Sequence, residues 1–177
     1  MNIYNIADTE DQSILEKFSN SDFFMERSFA AKSKYISKQI SEKLSDDKDD
    51  YVRSRLAENP NCPIEILIKL SNDKNVGIKA SLAKNINCPS YLLHELSENE
   101  DFGVRMAVAK NENCLASILN KLINDKYPLV VRFSLDNKNC SSLILINFFN
   151  KVKNDTDYSY TNYIVRDIVK HINCTQK

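Results

Sequence analysis

The sequence predicts an all-α fold, a solenoid of stacked short helix pairs, and three observations carry that prediction. A block of about 26 residues recurs along the chain. Within each block the apolar residues fall at positions i, i+1 and i+4, which makes one buried stripe per helix. The helices so marked are only about two turns long. Helices that short are marginal alone in water, so neighbouring units must stack to bury their stripes.

The recurrence is clearest in the middle of the chain. Asn59-Pro60-Asn61-Cys62-Pro63 returns as Asn85-Ile86-Asn87-Cys88-Pro89, then as Asn111-Glu112-Asn113-Cys114, and again at Asn139-Cys140. Upstream of these run Val52-Arg53-Ser54-Arg55-Leu56-Ala57, Ile78-Lys79-Ala80-Ser81-Leu82-Ala83 and Val104-Arg105-Met106-Ala107-Val108-Ala109. Each unit reads as two helices. The first starts near the Val-Arg pair and ends near the Asn, a residue suited to a left-handed C-terminal turn. The second opens at Pro63 or Pro89, since proline is welcome where a helix begins. Its stripe is Ile66, Leu67 and Leu70, then Leu92, Leu93 and Leu96, then Ile118, Leu119 and Leu122. A polar connector such as Ser71-Asn72-Asp73-Lys74-Asn75 leads to the next unit.

In chain order, residues 1–25 read as an N-terminal cap. Asp8-Thr9-Glu10-Asp11 marks a helix start, and Ile14, Leu15 and Phe18 form its inward face. Residues 26–51 read as a degenerate repeat: Glu26 to Lys34 is a first helix lacking the Asn and Cys, and Ser37 to Asp50 is a second helix with its connector. Residues 52–77, 78–103 and 104–130 are the regular repeats. The next copy, at 131–164, starts at Val131-Arg132, one residue out of phase, and carries about eight extra residues between Phe149 and Val165. Residues 165–177 form a C-terminal half repeat with Asn173-Cys174. The whole chain of 177 residues is read as one domain of about five repeats.

The pattern Val-Arg-x-x-Leu-Ala-x-Asn-x-Asn-Cys-Pro-x-x-x-Leu-Leu resembles the bacterial leucine-rich repeat variant family, in which threonine is common at the cysteine position. The units also resemble short HEAT and armadillo repeats. The resemblance covers residues 26 to 174 and implies a right-handed superhelix of helix pairs. It implies little about activity, because such repeats carry many functions. Some members add an iron–sulfur segment held by cysteines before the repeats. This chain has no cysteine before Cys62, so that feature does not transfer.

Composition narrows the function. Lys plus Arg total 24 and Asp plus Glu total 24, so the basic excess expected of a nucleic-acid binder is missing. Two glycines cannot build a phosphate-cradling or dinucleotide loop. Neither a signal peptide nor a membrane span is legible, and the expected location is cytoplasmic.

Each column of repeated residues has an architectural reading beside a functional one. The cysteines Cys62, Cys88, Cys114, Cys140 and Cys174 share one repeat position. Packed helices lie about 8–10 Å apart, whereas a disulfide needs Cα atoms within roughly 7 Å, so they are expected to be small buried residues rather than bridges or metal ligands. The basic column Arg53, Lys79, Arg105, Arg132 and Arg166 is either a phosphate rail or a ladder meeting connector acids such as Asp47, Asp73 and Asp125. The column Asn59, Asn85 and Asn111 either binds a peptide backbone or satisfies the repeat's own backbone. The histidines His94 and His171 have no periodic orienting partner or nucleophile, so no catalytic residue, cofactor or metal is assigned.

Positions that vary between repeats give the candidate binding residues. Ile64 and Ile68 lie on one second helix, and Tyr91 and His94 on the next, as a mixed apolar and aromatic patch. Tyr158, Tyr160 and Tyr163 lie in the inserted segment, whose Tyr, Ser, Asn and Asp content resembles a paratope; they either contact a partner or seal the last repeat. The expected function is a monomeric, non-catalytic scaffold, adaptor or inhibitor for one protein partner. A toxin-neutralising immunity protein is the narrower form. The alternative is a nucleic-acid-binding or DNA-repair protein on a HEAT-like scaffold, which requires an exposed arginine column.

Overall fold

The computed structural model describes residues 8–152. Among the described residues the chain is all-helical, with eleven helices and no strand. The helices fall into two alternating sets. The first helices are α2 (Phe24–Ala31), α4 (Asp50–Glu58), α6 (Val76–Lys84), α8 (Phe102–Lys110) and α10 (Pro128–Asp136). The second helices are α3 (Lys38–Leu44), α5 (Ile64–Ser71), α7 (Ser90–Leu96), α9 (Ala116–Leu122) and α11 (Ser142–Val152), preceded by α1 (Gln12–Ser19).

The first helices stack in succession, α2 on α4, α4 on α6, α6 on α8 and α8 on α10. Their buried faces are rich in small residues, Ala30, Ala57, Ala83 and Ala109 among them, which lets helix axes approach closely. The second helices lie against this layer and touch one another little. Their expected stripe is buried at every copy, with Leu67, Leu93 and Leu119 wholly enclosed. α1 obeys the same pattern. Leu15 is buried and Phe18 packs on the core, and α1 contacts both α2 and α3. It stands where a second helix of a preceding unit would stand.

Local chemistry explains the helix ends. Asp49, Asn75 and Asp101 each precede a first helix and accept a hydrogen bond from the backbone N–H two residues on, at Tyr51, Gly77 and Gly103. Pro63 and Pro89 stand one residue before the second helices, in extended backbone, as N-caps rather than as first helical residues.

Two expectations fail in detail. The fourth copy is not out of phase: α10 begins at Pro128, in step with Phe102, Val76 and Asp50 before it. Only the Val-Arg pair has shifted within the helix. Val130 takes the buried place of Val104, Val131 takes the place of Arg105, and Arg132 is exposed. The reason is that burial, not the dipeptide, sets register, and Val130 supplies the apolar residue where the layer needs one. The second failure concerns the asparagines. No residue other than glycine has a positive φ among the described residues, and Asn59, Asn85 and Asn111 are extended at φ of −71°, −63° and −67°. Their side chains, not a left-handed backbone, end the helices.

Candidate functional site

The connector edge shows first what the arginine column does. Arg27 and Asp47, Arg53 and Asp73, and Arg105 and Asp125 form ion pairs at 2.6, 2.7 and 2.6 Å, each pair twenty residues apart in the chain. The Arg105 side chain is 10% exposed and that of Asp125 7%. Each guanidinium also donates to connector carbonyls, Arg105 to Asn99 and Glu100 at 2.7 and 2.8 Å. Each aspartate in turn accepts the N–H two residues on, as Asp73 does from Asn75 at 2.8 Å. Burial raises the Asp73 carboxyl, but the Arg53 and Asn75 hydrogen bonds outweigh it and hold the acid below the ordinary carboxylate range. Asp47 and Asp125 are held low in the same way by Arg27 and Arg105.

These arginines are spent inside the fold and form no phosphate rail. The column is also not the one the sequence suggests. Arg27 belongs to it, and its place is legible as one repeat step before Arg53. Lys79 and Asn99 hold the corresponding repeat positions; Asn99 keeps the turn by accepting the Asp101 N–H at 3.0 Å but offers no charge. Arg132 pairs instead with Asp136 on its own exposed surface at 3.5 Å. Arg166 lies outside the described residues.

The opposite edge is closed by amides. The Nδ2 of Asn85 donates to the Ala57 and Asn59 carbonyls at 2.8 and 2.7 Å, and its Oδ1 accepts the Asn87 N–H at 2.8 Å. Asn59, Asn111 and Asn137 repeat the arrangement, each reaching back to the unit before. Ser33 holds the same position one step earlier, where its hydroxyl accepts the Tyr35 N–H. The asparagines are therefore mortar between units, and their amides are unavailable to a bound peptide.

Cys62, Cys88 and Cys114 are free and buried, and Cys140 is half-buried. Burial pushes the first three thiols up to about 12 and Cys140 to about 11, so they are poor nucleophiles and poor metal ligands at neutral pH. Cys174 and His171 lie outside the described residues. Among the described residues, no cluster of three potential metal ligands occurs.

The candidate binding residues on the second helices are all at the surface. Ile64, Ile68 and Tyr91 are exposed, Tyr91 by 55%, and His94 is exposed beside it. Ile64 and Ile68 share one face of α5, and Tyr91 and His94 share one face of α7. Because α5 and α7 touch little, the structure presents them as neighbouring outer faces rather than as one packed cluster. Leu143 and Ile146 of α11, also exposed, occupy the repeat positions of Tyr91 and His94, an extension that stepping two units along the sequence could have found. Tyr158, Tyr160 and Tyr163 lie outside the described residues.

Sequence reasoning missed a row of exposed aromatic residues at the connector edge. Phe23 and Phe24 at the start of α2, Tyr51 in α4, Phe102 in α8 and Tyr127 before α10 all stand at first-helix N-termini. Phe24 meets Tyr51 edge to face at 6.0 Å, and Phe102 stacks on Tyr127 at 4.7 Å. The signal was present as aromatics at or beside a position in step along the repeat, but apolar residues at helix starts read from sequence alone as packing.

Among the described residues, no helix is long and apolar enough to cross a membrane. No family model matches the chain, and no curated protein or solved structure shows significant similarity to it.

Proposed function

We propose that this chain is a non-catalytic protein-binding scaffold, an adaptor or inhibitor that engages one protein partner through the outer faces of its second helices. One observation carries the reading. The repeated polar side chains are largely consumed in holding units together, while large apolar side chains at repeat positions whose residue varies, Ile64, Ile68, Tyr91, Leu143 and Ile146, stand exposed. A lattice that spends its polar groups internally and varies its surface suits recognition, because identity changes there without cost to the fold. The tyrosines of the inserted segment extend the contact set in sequence.

The test is co-purification of tagged wild type and a Tyr91→Ala/His94→Ala/Tyr158→Ala variant from the native host, with melting curves as a control on folding. A single dominant protein partner recovered by wild type and reduced about tenfold or more in the variant is expected, since interface aromatics carry much of the binding energy. Equal recovery by both proteins removes these residues from the contact. Recovery of nucleic acid without protein would favour the DNA-repair-type alternative, against which the paired and buried state of Arg27, Arg53 and Arg105 already argues. The narrower reading as an immunity protein predicts that co-expression rescues growth from a protein toxin that the chain binds.

A further inference from the structure

We infer that α11 is a hinged flap, which docks on and leaves the end of the stack as a unit of its own, because the buried Ser134 cuts its apolar cluster off from the main core. The inference does not depend on the second-helix contact. Its first support is the division of the core. One apolar cluster runs from Leu15 to Val130 and takes in the buried stripes of α1, α3, α5, α7 and α9. Among the described residues, the inner stripe of α11, Ile144, Leu145, Phe148 and Val152, belongs to a separate cluster and rests on Ile123, Val131 and Leu135. The half-buried Cys140, between α10 and α11, packs against both clusters.

The division falls at Ser134. Leu56, Leu82 and Val108 hold the same repeat position in the units before, and all three lie in the main cluster. Ser134 is wholly buried there, and its hydroxyl donates to the Val130 carbonyl one turn back at 2.8 Å. That bond satisfies the oxygen, but so small a side chain supplies none of the methyl groups that fill this position in the earlier units. The buried ion pair is lost at the same place, because Val131 and Lys151 stand where Arg105 and Asp125 stand one unit earlier. Lys151 instead donates to Asn124 at the surface, at 2.7 Å. Packing loosens accordingly. Leu145 is 6% exposed where Leu67, Leu93 and Leu119 are wholly enclosed, and Cys140 is half-buried where Cys62, Cys88 and Cys114 are buried.

The bonds that hold α10 place the hinge. Asn137 donates to the Ala109 and Asn111 carbonyls, and Asn139 to those of Glu112 and Cys114, so the chain is fixed to the preceding unit as far as Asn139. α11 begins just beyond, at Ser142. A place at the end of the stack does not by itself free a helix. α1 stands at the other end, yet Leu15 is wholly buried and part of the main cluster. A helix opens alone when the apolar surface it buries is shared with little else, and α11 meets that condition. Opening uncovers Val131 and Leu135 on the stack and the inner stripe of α11, whose outer face already carries the exposed Leu143 and Ile146. The closed state hides this apolar surface and the open state offers it.

The test is hydrogen exchange on the full chain, read by mass spectrometry, with maleimide labelling of Cys140 followed by peptide mapping. The amides of α11 are expected to exchange about a hundredfold or more faster than those of α4 and α6. Phe148→Ala should speed α11 exchange and Cys140 labelling about tenfold and leave α4 and α6 unchanged. Ser134→Val, which restores the residue type of Val108, should slow both about tenfold. Exchange of α11 in step with α6 overturns the inference. So does Phe148→Ala accelerating α4, α6 and α11 alike, which would make the stack one cooperative unit. A folded Ser134→Val protein whose α11 exchanges as in wild type overturns it as well. Should Ser134→Val fail to fold, Phe148→Ala decides alone.

Discussion

The two edges of the stack solve the same problem with different strictness. On one edge, Asn59, Asn85, Asn111 and Asn137 repeat one bonding arrangement without substitution across four successive units. On the connector edge, the equivalent positions carry three chemistries: Arg with Asp at three places, Lys79 and Asn99 at another, and Val131 at the last, where it joins Ile123, Ile144 and Phe148 in an apolar cluster. The difference teaches that an element is interchangeable when only its polarity must match its neighbours. The asparagine is not interchangeable, because two donors and one acceptor must meet three fixed backbone groups at once, and no other side chain of its size does that.

The comparison is broken most severely at the strict edge. Asn85→Asp removes both donors and sets a carboxylate against the Ala57 and Asn59 carbonyls. A loss of about 3–5 kcal/mol in unfolding free energy is expected by chemical denaturation. A loss under about 1 kcal/mol would show that the ladder is ornamental.

At the tolerant edge the same experiment should be milder and, above all, reversible. Asp73→Ala strands the Arg53 guanidinium, at a cost of about 2–3 kcal/mol. Adding the second change, as Arg53→Met with Asp73→Asn, should return stability to within about 1 kcal/mol of wild type, because Asn99 shows that an amide keeps the turn. If the double variant is no better than Asp73→Ala, charge itself is required there.

Acid sharpens the contrast further. Asp47, Asp73 and Asp125 have folded pKa values below their unfolded ones, so their stabilisation is fully present above the unfolded value of about 4 and is lost as pH falls through the folded values. Wild type should therefore lose more stability below about pH 4 than the Arg53→Met/Asp73→Asn variant, measured as the difference in denaturant midpoint at pH 3 and pH 7. Parallel loss in the two would place the acid sensitivity elsewhere. The smallest effect is a gain. Lys79→Arg with Asn99→Asp rebuilds the missing rung and should add about 1 kcal/mol, read as a higher midpoint at pH 7 and no gain at pH 3.

How much of this was legible differs by residue. The helix pairs, the buried stripes and the enclosed cysteines could be read because each depends on a residue type returning at a fixed step. The pairing of Arg53 with Asp73 was one of two open readings, since a periodic arginine looks the same whether it points outward to phosphate or inward to an acid. The apparent slip at Val131-Arg132 is misleading in the sequence because the buried position, not the dipeptide, keeps register. The aromatic row at Phe24, Tyr51, Phe102 and Tyr127 is hidden in the sequence, because Tyr51 and Tyr127 lie one position to either side of the repeat position shared by Phe24 and Phe102.

The sequence by itself determined the repeat step, the helical class and which side chains face inward, since period and burial are properties of a single unit and its copies. Tertiary structure alone decided what the repeated polar groups bond to and which exposed residues become neighbours. Those choices are made between units. A side chain at one repeat meets carbonyls and acids some twenty to twenty-eight positions away, and only the packing of one helix layer on the next brings them within reach.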